Sequence, residues 1–125
     1  MIIHSNIKVF DVFFTEKATE YGVNKHYYLS IYTQRDDSNN NLNSDIIGLL
    51  ITTNKKQEEN NGRYVVPVKI NGKFSYVCCD RPYKFKLDNS VEKKPVILTT
   101  KEKAEIMYKL NLFLEEINRQ MAVNI

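Results

Sequence analysis

The segment Asp45–Asn54 constrains the fold of this chain more than any other. It is a nearly unbroken apolar run, rich in β-branched residues and without charge after Asp45. A run of this kind is typical of a central strand that is buried on both faces of a sheet. It ends in Thr52 and Thr53, so a rigid strand would deliver two hydroxyl groups to a sheet edge, as functional sites require. The alternative is that both threonines begin a solvated turn, because Thr is common at strand ends.

Length and composition predict one globular domain over residues 1–125. Hydrophobic residues make up 42% and charged residues 26% of the chain, and no apolar run is long enough for a membrane helix. The chain does not begin with a charged segment followed by a long apolar stretch, so we expect a cytoplasmic protein with no membrane partner. The net charge of +3 permits a polyanionic partner without requiring one.

The two cysteines, Cys78 and Cys79, are adjacent in the sequence. Neighbours on a strand point to opposite faces, so a disulfide between them would be strained. Together with the two histidines, His4 and His26, they make a poor zinc set, and we expect neither a metal nor a cofactor.

Turn residues and β-favouring runs predict about six short strands. Besides the central segment, we expect strands at Ile7–Phe14, His26–Thr33, Arg63–Ile70, Lys73–Cys79 and Tyr83–Leu87. Polar and turn-forming residues predict loops, breaks or linkers at Thr15–Asn24, Gln34–Ser44, Gln57–Gly62, Asp80–Pro82 and Asp88–Pro95. Pro67 indicates a sheet edge or a bulge, and Asn71-Gly72 predicts a tight hairpin turn.

The C-terminal segment predicts one amphipathic helix. Thr99 can act as its N-cap, with Glu102 as the capping-box partner. Apolar residues then recur at helical spacing on one face, namely Ile106, Leu110, Phe113, Leu114, Ile117 and Met121. One helix after about six strands predicts a mostly β fold, in which a small curled sheet or barrel packs against the helix.

Four short motifs, taken in order, resemble the PemK/MazF family of toxin endoribonucleases. Asp11–Phe14 is similar to the family's opening Gly-Asp-Val-Tyr-Phe segment, with Phe10 where Gly is usual. His26–Thr33 resembles its second strand, and Leu50–Thr52 resembles the strand that ends in its catalytic Thr. Ser75–Asp80 is similar to its strand that opens with Ser and closes with an acidic residue. The order and spacing of these motifs carry the resemblance.

This resemblance implies a small SH3-like β-barrel that forms a homodimer and is neutralised by an antitoxin protein. It also implies metal-independent cleavage of single-stranded RNA, in which the substrate's 2′-hydroxyl attacks the adjacent phosphate. The sequence departs from the family at one place. The family opens its second strand with Arg-Pro, and that Arg is catalytic, whereas Lys25-His26-Tyr27 stands here.

The resemblance and the chemistry together suggest three catalytic candidates. His26 suits proton transfer, because imidazole gains and loses a proton near neutral pH, although it can equally pack at a strand start. Lys25 can offer a fixed charge to a phosphate or remain a solvated charge. Thr52 can donate a hydrogen bond to a phosphoryl oxygen.

Four further residues are candidates for binding the substrate. Thr53 takes the place of Thr52 if the strand register differs by one, and Ser75 can bind a phosphate or make a structural hydrogen bond. Arg81 suits a phosphate, or it can pair with a nearby aspartate. Arg35, in the Asn-rich loop, can reach phosphates or stack on a base, although plain solvation of that loop is the simpler expectation.

Two other functions remain open from the sequence. Without the family's Arg, the chain can be a catalytically inactive SH3-like barrel that binds RNA or a protein partner. It can also be a nuclease of related fold with a shifted site. The apolar face of the helix does not separate these functions, since it can seal the barrel, form a dimer contact, or do both.

Overall fold

In the computed structural model of the chain, residues 7–19, 22–34, 45–86 and 91–123 are described. They form β1 (Val12–Thr19), β2 (Gly22–Gln34), β3 (Asp45–Thr52), α1 (Lys56–Asn61), β4 (Val65–Ile70), β5 (Lys73–Lys86), β6 (Val91–Lys93) and α2 (Thr100–Val123). The strands build one antiparallel sheet in the order β4-β5-β3-β2-β1-β6. The prediction of a mostly β fold with a C-terminal helix is confirmed.

The predicted central strand is β3, which pairs with β2 on one side and with β5 on the other. Its side chains are buried on both faces of the sheet. Leu49 and Ile51 join the core beneath α2, on what we term the helix face, and Ile46 and Leu50 join a second core on the far face. The strand ends at Thr52, where the sequence pattern predicts that its polar end begins.

The first strand begins and ends later than predicted. The expected strand at Ile7–Phe14 is confirmed for residues 12–14 only, and the expected loop at Thr15–Asn24 is wrong for residues 15–19 and 22–24. Phe10 has a φ of 72°, and the Asp11 N–H donates to the Lys8 carbonyl oxygen, so a turn precedes the strand. β1 continues to Thr19 and pairs with β2 down to Gly22, so the expected loop is largely a two-stranded ribbon.

Two predicted connections contain regular structure. The expected loop at Gln57–Gly62 is helix α1, and the expected linker at Asp88–Pro95 contains β6, which pairs with β1. Neither segment has the hydrophobic periodicity on which sequence patterns depend. The Gln34–Ser44 loop lies outside the described residues, apart from Gln34, which ends β2.

The expected break at Asp80–Pro82 is a bulge inside the continuous strand β5. Leu49 pairs with Pro82, whereas Leu50 pairs with Cys78, so the three residues between them on β5 bulge out of the ladder. The residues expected to separate two strands therefore bend one long strand instead.

The predicted turn between β4 and β5 is confirmed. Asn71 and Gly72 have φ values of 52° and 79°, the left-handed pair that a two-residue hairpin turn requires. The predicted capping box of α2 is confirmed too. The Glu102 N–H donates to Thr99 Oγ1 at 3.1 Å, and the Thr99 N–H donates to Glu102 Oε1 at 2.8 Å.

Helix α2 covers the outer edge of β4, as the edge position of Pro67 suggested. The other carboxylate oxygen of Glu102 accepts the Lys69 N–H at 3.2 Å, and Lys109 Nζ donates to the Val65 carbonyl oxygen at 2.7 Å. Pro67 has no N–H to satisfy. An edge strand with unpaired backbone groups invites association, and these contacts remove most of that exposure.

The apolar face of α2 is only partly packed. Ile106 is buried and Leu110 and Phe113 are half-buried, whereas Leu114, Ile117 and Met121 are exposed. Within the described residues, the sheet is open, with β4 and β6 at its edges. In the same part of the chain, no helix has the length and apolarity to cross a membrane.

Candidate functional site

Strand β3 ends between two longer strand pairs. Past the level of Thr52, β2 continues to Gly22 beside β1, and β5 continues to Lys73 beside β4. The end of β3 is therefore the floor of a notch whose walls are the β1–β2 ribbon and the β4–β5 hairpin. The chain leaves this floor through Thr53 toward α1.

The strand registers bring four polar residues into one row across the floor of the notch. His26 pairs with Thr15 of β1, and Thr52 pairs with Tyr76 of β5. His26 and Thr52 each lie one residue beyond the last β2–β3 pair, so the antiparallel register makes them neighbours. We call Thr15, His26, Thr52 and Tyr76 the polar row.

All four residues of the polar row project from the far face of the sheet. Alternation places each two positions from a residue of the far-face core, as His26 is from Tyr28. Thr15 and Tyr76 are buried, and His26 and Thr52 are half-exposed. The His26 ring lies edge-on to the Tyr28 ring, with 6.3 Å between centroids. A ligand in the notch can therefore reach His26 and Thr52.

The Thr52 hydroxyl oxygen already has a structural role. Thr52 Oγ1 accepts the Asn54 N–H at 3.1 Å, and Asn54 Oδ1 accepts the Lys56 N–H at 3.0 Å at the start of α1. The expectation of a turn after β3 is thus correct, and the hydroxyl oxygen is an acceptor in that turn. Among the described residues, the hydroxyl hydrogen has no acceptor, and this is the atom that a phosphoryl oxygen would bind.

Three other candidates occupy the next row outward. Lys25 of β2 pairs with Glu16, Ser75 of β5 pairs with Val68, and Thr53 follows the end of β3 between them. Ser75 is buried, and alternation directs it to the helix face, away from His26 and Thr52. Thr53 is exposed. Proximity in the sheet therefore does not give Ser75 access to a ligand on the far face.

Arg81 does not join this group. Arg81 lies in the β5 bulge, level with Leu49 and Leu50, about 10 Å along the sheet from Thr52 at about 3.3 Å per residue. Arg35 lies outside the described residues. The residue before it, Gln34, ends β2 about 26 Å from His26 on the same rise per residue.

The walls of the notch carry residues that sequence reasoning missed. Phe74 is 62% exposed on the β4–β5 hairpin, and Lys69 Nζ lies 5.1 Å from the centroid of its ring. The sequence predicts a loop at Thr15 and an ordinary strand at Phe74. A phenylalanine two residues after the Asn71-Gly72 turn, with a lysine at the predicted cross-strand position, is the sequence signal for Phe74.

The adjacent cysteines are structural. Both are buried, and burial raises the pKa of the Cys78 thiol to about 11 and that of the Cys79 thiol to about 12. Such thiols stay protonated at neutral pH and are poor nucleophiles. Among the described residues, no three His, Cys, Asp or Glu side chains converge as metal ligands would.

No family model matches the chain, and no curated protein matches it. The geometry of the notch, together with the sequence motifs, is therefore the basis for a functional proposal.

Proposed function

We propose that the chain is a metal-independent endoribonuclease that cleaves single-stranded RNA at the notch, in the manner of PemK/MazF toxins. One observation carries the proposal. The strand registers set the imidazole of His26 beside the hydroxyl of Thr52, half-exposed on one face, although 25 residues separate them in the chain. A proton acceptor and a hydrogen-bond donor at one rigid place are the minimum for RNA transesterification.

In the proposed reaction, His26 acts on the nucleophile. Its neutral imidazole accepts the proton of the 2′-hydroxyl while that oxygen forms a bond to the adjacent phosphorus. The bond from phosphorus to the 5′-oxygen breaks, this oxygen takes a proton from water, and the hydroxide that remains takes the first proton back from the His26 imidazolium. The products are a 2′,3′-cyclic phosphate and a 5′-hydroxyl end, so atoms and charge balance without an oxidant or a metal.

Thr52 stabilises the phosphate in this scheme. The Thr52 hydroxyl donates its hydrogen to a phosphoryl oxygen, where negative charge grows as the new bond forms. Lys25 directly precedes His26 on β2, where the family has its arginine, but consecutive strand residues point to opposite faces, so we assign it no contact with this phosphate. Thr53 provides a second exposed hydroxyl at the end of β3.

The proposal extends to the architecture and partners that the sequence resemblance implies. The proposal includes an SH3-like barrel, with which the antiparallel pairing of the strands agrees, although the sheet is open over the described residues. A homodimer, or the binding of an antitoxin protein, is supported by exposed apolar residues of α2, among them Met107, Leu114, Ile117 and Met121. Action in the cytoplasm follows from a substrate of cellular RNA.

A cleavage assay in excess EDTA tests the proposal. Purified wild-type protein and His26→Ala are each incubated with a long single-stranded RNA, and the new ends are characterised. We expect wild type to leave 5′-hydroxyl ends, and His26→Ala to cut about 100- to 10,000-fold more slowly, the usual contribution of a positioned proton acceptor. Tyr108→Ala, an exposed position on α2, is the matched control and should cut like wild type.

The other outcomes separate the alternatives. Cutting that His26→Ala retains would keep the ribonuclease and refute this site. Cutting that EDTA abolishes would refute the metal-independent reaction. Folded wild-type protein that binds the RNA without cutting it would establish the inactive binding barrel, with the missing arginine as the reason.

A further inference from the structure

Phe74 has no evident structural reason to be where it is. It lies on β5, two residues before Tyr76, and alternation places it on the far face with His26 and Thr52. Its ring is 62% exposed, and Phe74 belongs to neither hydrophobic core. A large apolar side chain held out on a hairpin wall, next to a polar row, suits contact with a ligand.

A lysine lies against the ring of Phe74. Lys69, its cross-strand partner, places its ammonium 5.1 Å from the ring centroid. An apolar protein surface would have to desolvate this ammonium group to cover the ring. A nucleobase stacked on the ring leaves its phosphates within reach of Lys69.

We propose that Phe74 is a stacking platform for a base of single-stranded RNA, and that Lys69 binds a phosphate of the same nucleotide or its neighbour. This inference rests on the proposed ribonuclease function and deepens it, because it fixes where the RNA lies. The strand rise puts Phe74 about 7 Å along β5 from Tyr76. A base stacked on Phe74 therefore belongs to a nucleotide directly next to the phosphate bound at His26 and Thr52.

The first test uses a spectroscopic signal that the chain itself lacks. The sequence contains no tryptophan, so Phe74→Trp introduces a single one. The probe is a short single-stranded RNA whose 2′-hydroxyls are methylated, which prevents cleavage. We expect this RNA to quench the tryptophan emission, because stacking brings a base onto the indole. Tyr108→Trp on α2, 64% exposed in wild type, is the matched control and should not be quenched.

The second test measures affinity with the same probe in wild-type protein and in Phe74→Ala. We expect about a tenfold weaker Kd for Phe74→Ala, the usual loss of one base–aromatic stack. An oligonucleotide of equal length with abasic sites should bind both proteins equally. In Lys69→Gln we expect the plot of log K against log salt to become shallower, its slope decreasing in magnitude by about 0.7. This is the change expected when one phosphate contact to a single strand is lost.

The outcomes distinguish this inference from the proposed function. If wild type cuts RNA, but Phe74→Ala binds the probe equally well and Phe74→Trp is not quenched, the platform is wrong and the ribonuclease stands. If Phe74→Trp is quenched and nothing is cut, the platform stands and catalysis is wrong. If Phe74→Ala instead lowers the oligomeric mass in light scattering and leaves the Kd unchanged, Phe74 is a protein contact and the inference is wrong.

Discussion

Both ends of β3 carry polar groups, but the polar groups at the two ends have different partners. At the start of the strand, the Asp45 carboxylate lies 3.0 Å from Lys86 Nζ and 3.5 Å from Lys84 Nζ. The hydrogen bond from Lys86 is the main cause of a lowered Asp45 pKa, and Lys84 adds to it. At the other end, the Thr52 hydroxyl oxygen accepts a hydrogen bond from the Asn54 N–H in a turn. Among the described residues, the hydroxyl hydrogen has no acceptor.

This difference separates a structural polar site from a candidate functional one. The Asp45 end is internally neutralised, since both lysines that approach it come from the neighbouring strand β5. A ligand would have to break those pairs to bind there. The Thr52 end has an imidazole beside it instead of a counter-ion, and the ends of the surrounding strands leave it half-exposed.

Of the two ends of β3, the Thr52 end should be more sensitive to substitution. Removing the Thr52 hydroxyl should lower the rate of catalysis. We expect Thr52→Val to cut RNA about 100-fold more slowly, because one preorganised donor to the phosphoryl oxygen is lost. Thr52→Ser keeps the hydroxyl and should stay within about threefold of wild type on the same argument. Single-turnover cleavage rates, measured well below the melting temperature, check both variants.

Thr52→Val also removes the acceptor of the Asn54 N–H, which costs about 1 kcal/mol of stability. Circular dichroism should therefore accompany the rates. If Thr52→Ser were as slow as Thr52→Val, the hydroxyl would not be the group that matters, and the contrast between the two ends would lose its chemical basis.

The features that the sequence predicted are those set by near neighbours in the chain. The central strand follows from one apolar run, the β4–β5 turn from Asn71-Gly72, and the helix start from Thr99 with Glu102. Each signal lies within about ten residues. The errors lie where distant contacts decide. The ribbon formed by residues 15–19 and 22–24 is polar, so only the pairing of its two strands indicates that it is extended.

The candidate site divides in the same way. Residue type and the family resemblance together indicated His26 and Thr52, since an imidazole and a strand-end hydroxyl are chemically informative. The β2–β3 register makes His26 and Thr52 neighbours, and the alternation along β5 directs Ser75 to the opposite face. Neither can be seen in the sequence alone. Arg81 was a candidate because it follows the Ser75 strand, but the bulge in β5 places it about 10 Å from Thr52.

The middle of β3 should be sensitive to size, with an effect on stability and not on the site. A Cβ at Gly48 would lie 2.8 Å from Phe13 Cζ and 3.0 Å from Tyr28 Cβ, and Phe13 is fully buried. We therefore expect Gly48→Ala to lower the free energy of unfolding by about 1–3 kcal/mol, as overpacking does. Urea unfolding monitored by tyrosine fluorescence measures the change.

A second substitution sharpens this prediction. Phe13→Leu removes the ring that the added methyl group would meet, so the double variant should be more stable than the two single losses predict. Additive losses in the double-mutant cycle would show that the two positions are not in contact. Cleavage per folded molecule should remain at the wild-type level in Gly48→Ala, because Gly48 lies four residues from Thr52.

The smallest effect should come from the neutralised end. Asp45→Asn should leave cleavage unchanged and lower stability slightly near neutral pH, because both partner lysines are well exposed to solvent. A carboxyl whose pKa is lower in the folded state stabilises the fold above its ordinary pKa of 3.8, and this contribution disappears as the pH falls through the lowered value. The difference between Asp45→Asn and wild type in urea unfolding should therefore shrink below about pH 4. A loss of cleavage in Asp45→Asn, at unchanged stability, would mean that both ends of β3 serve the reaction.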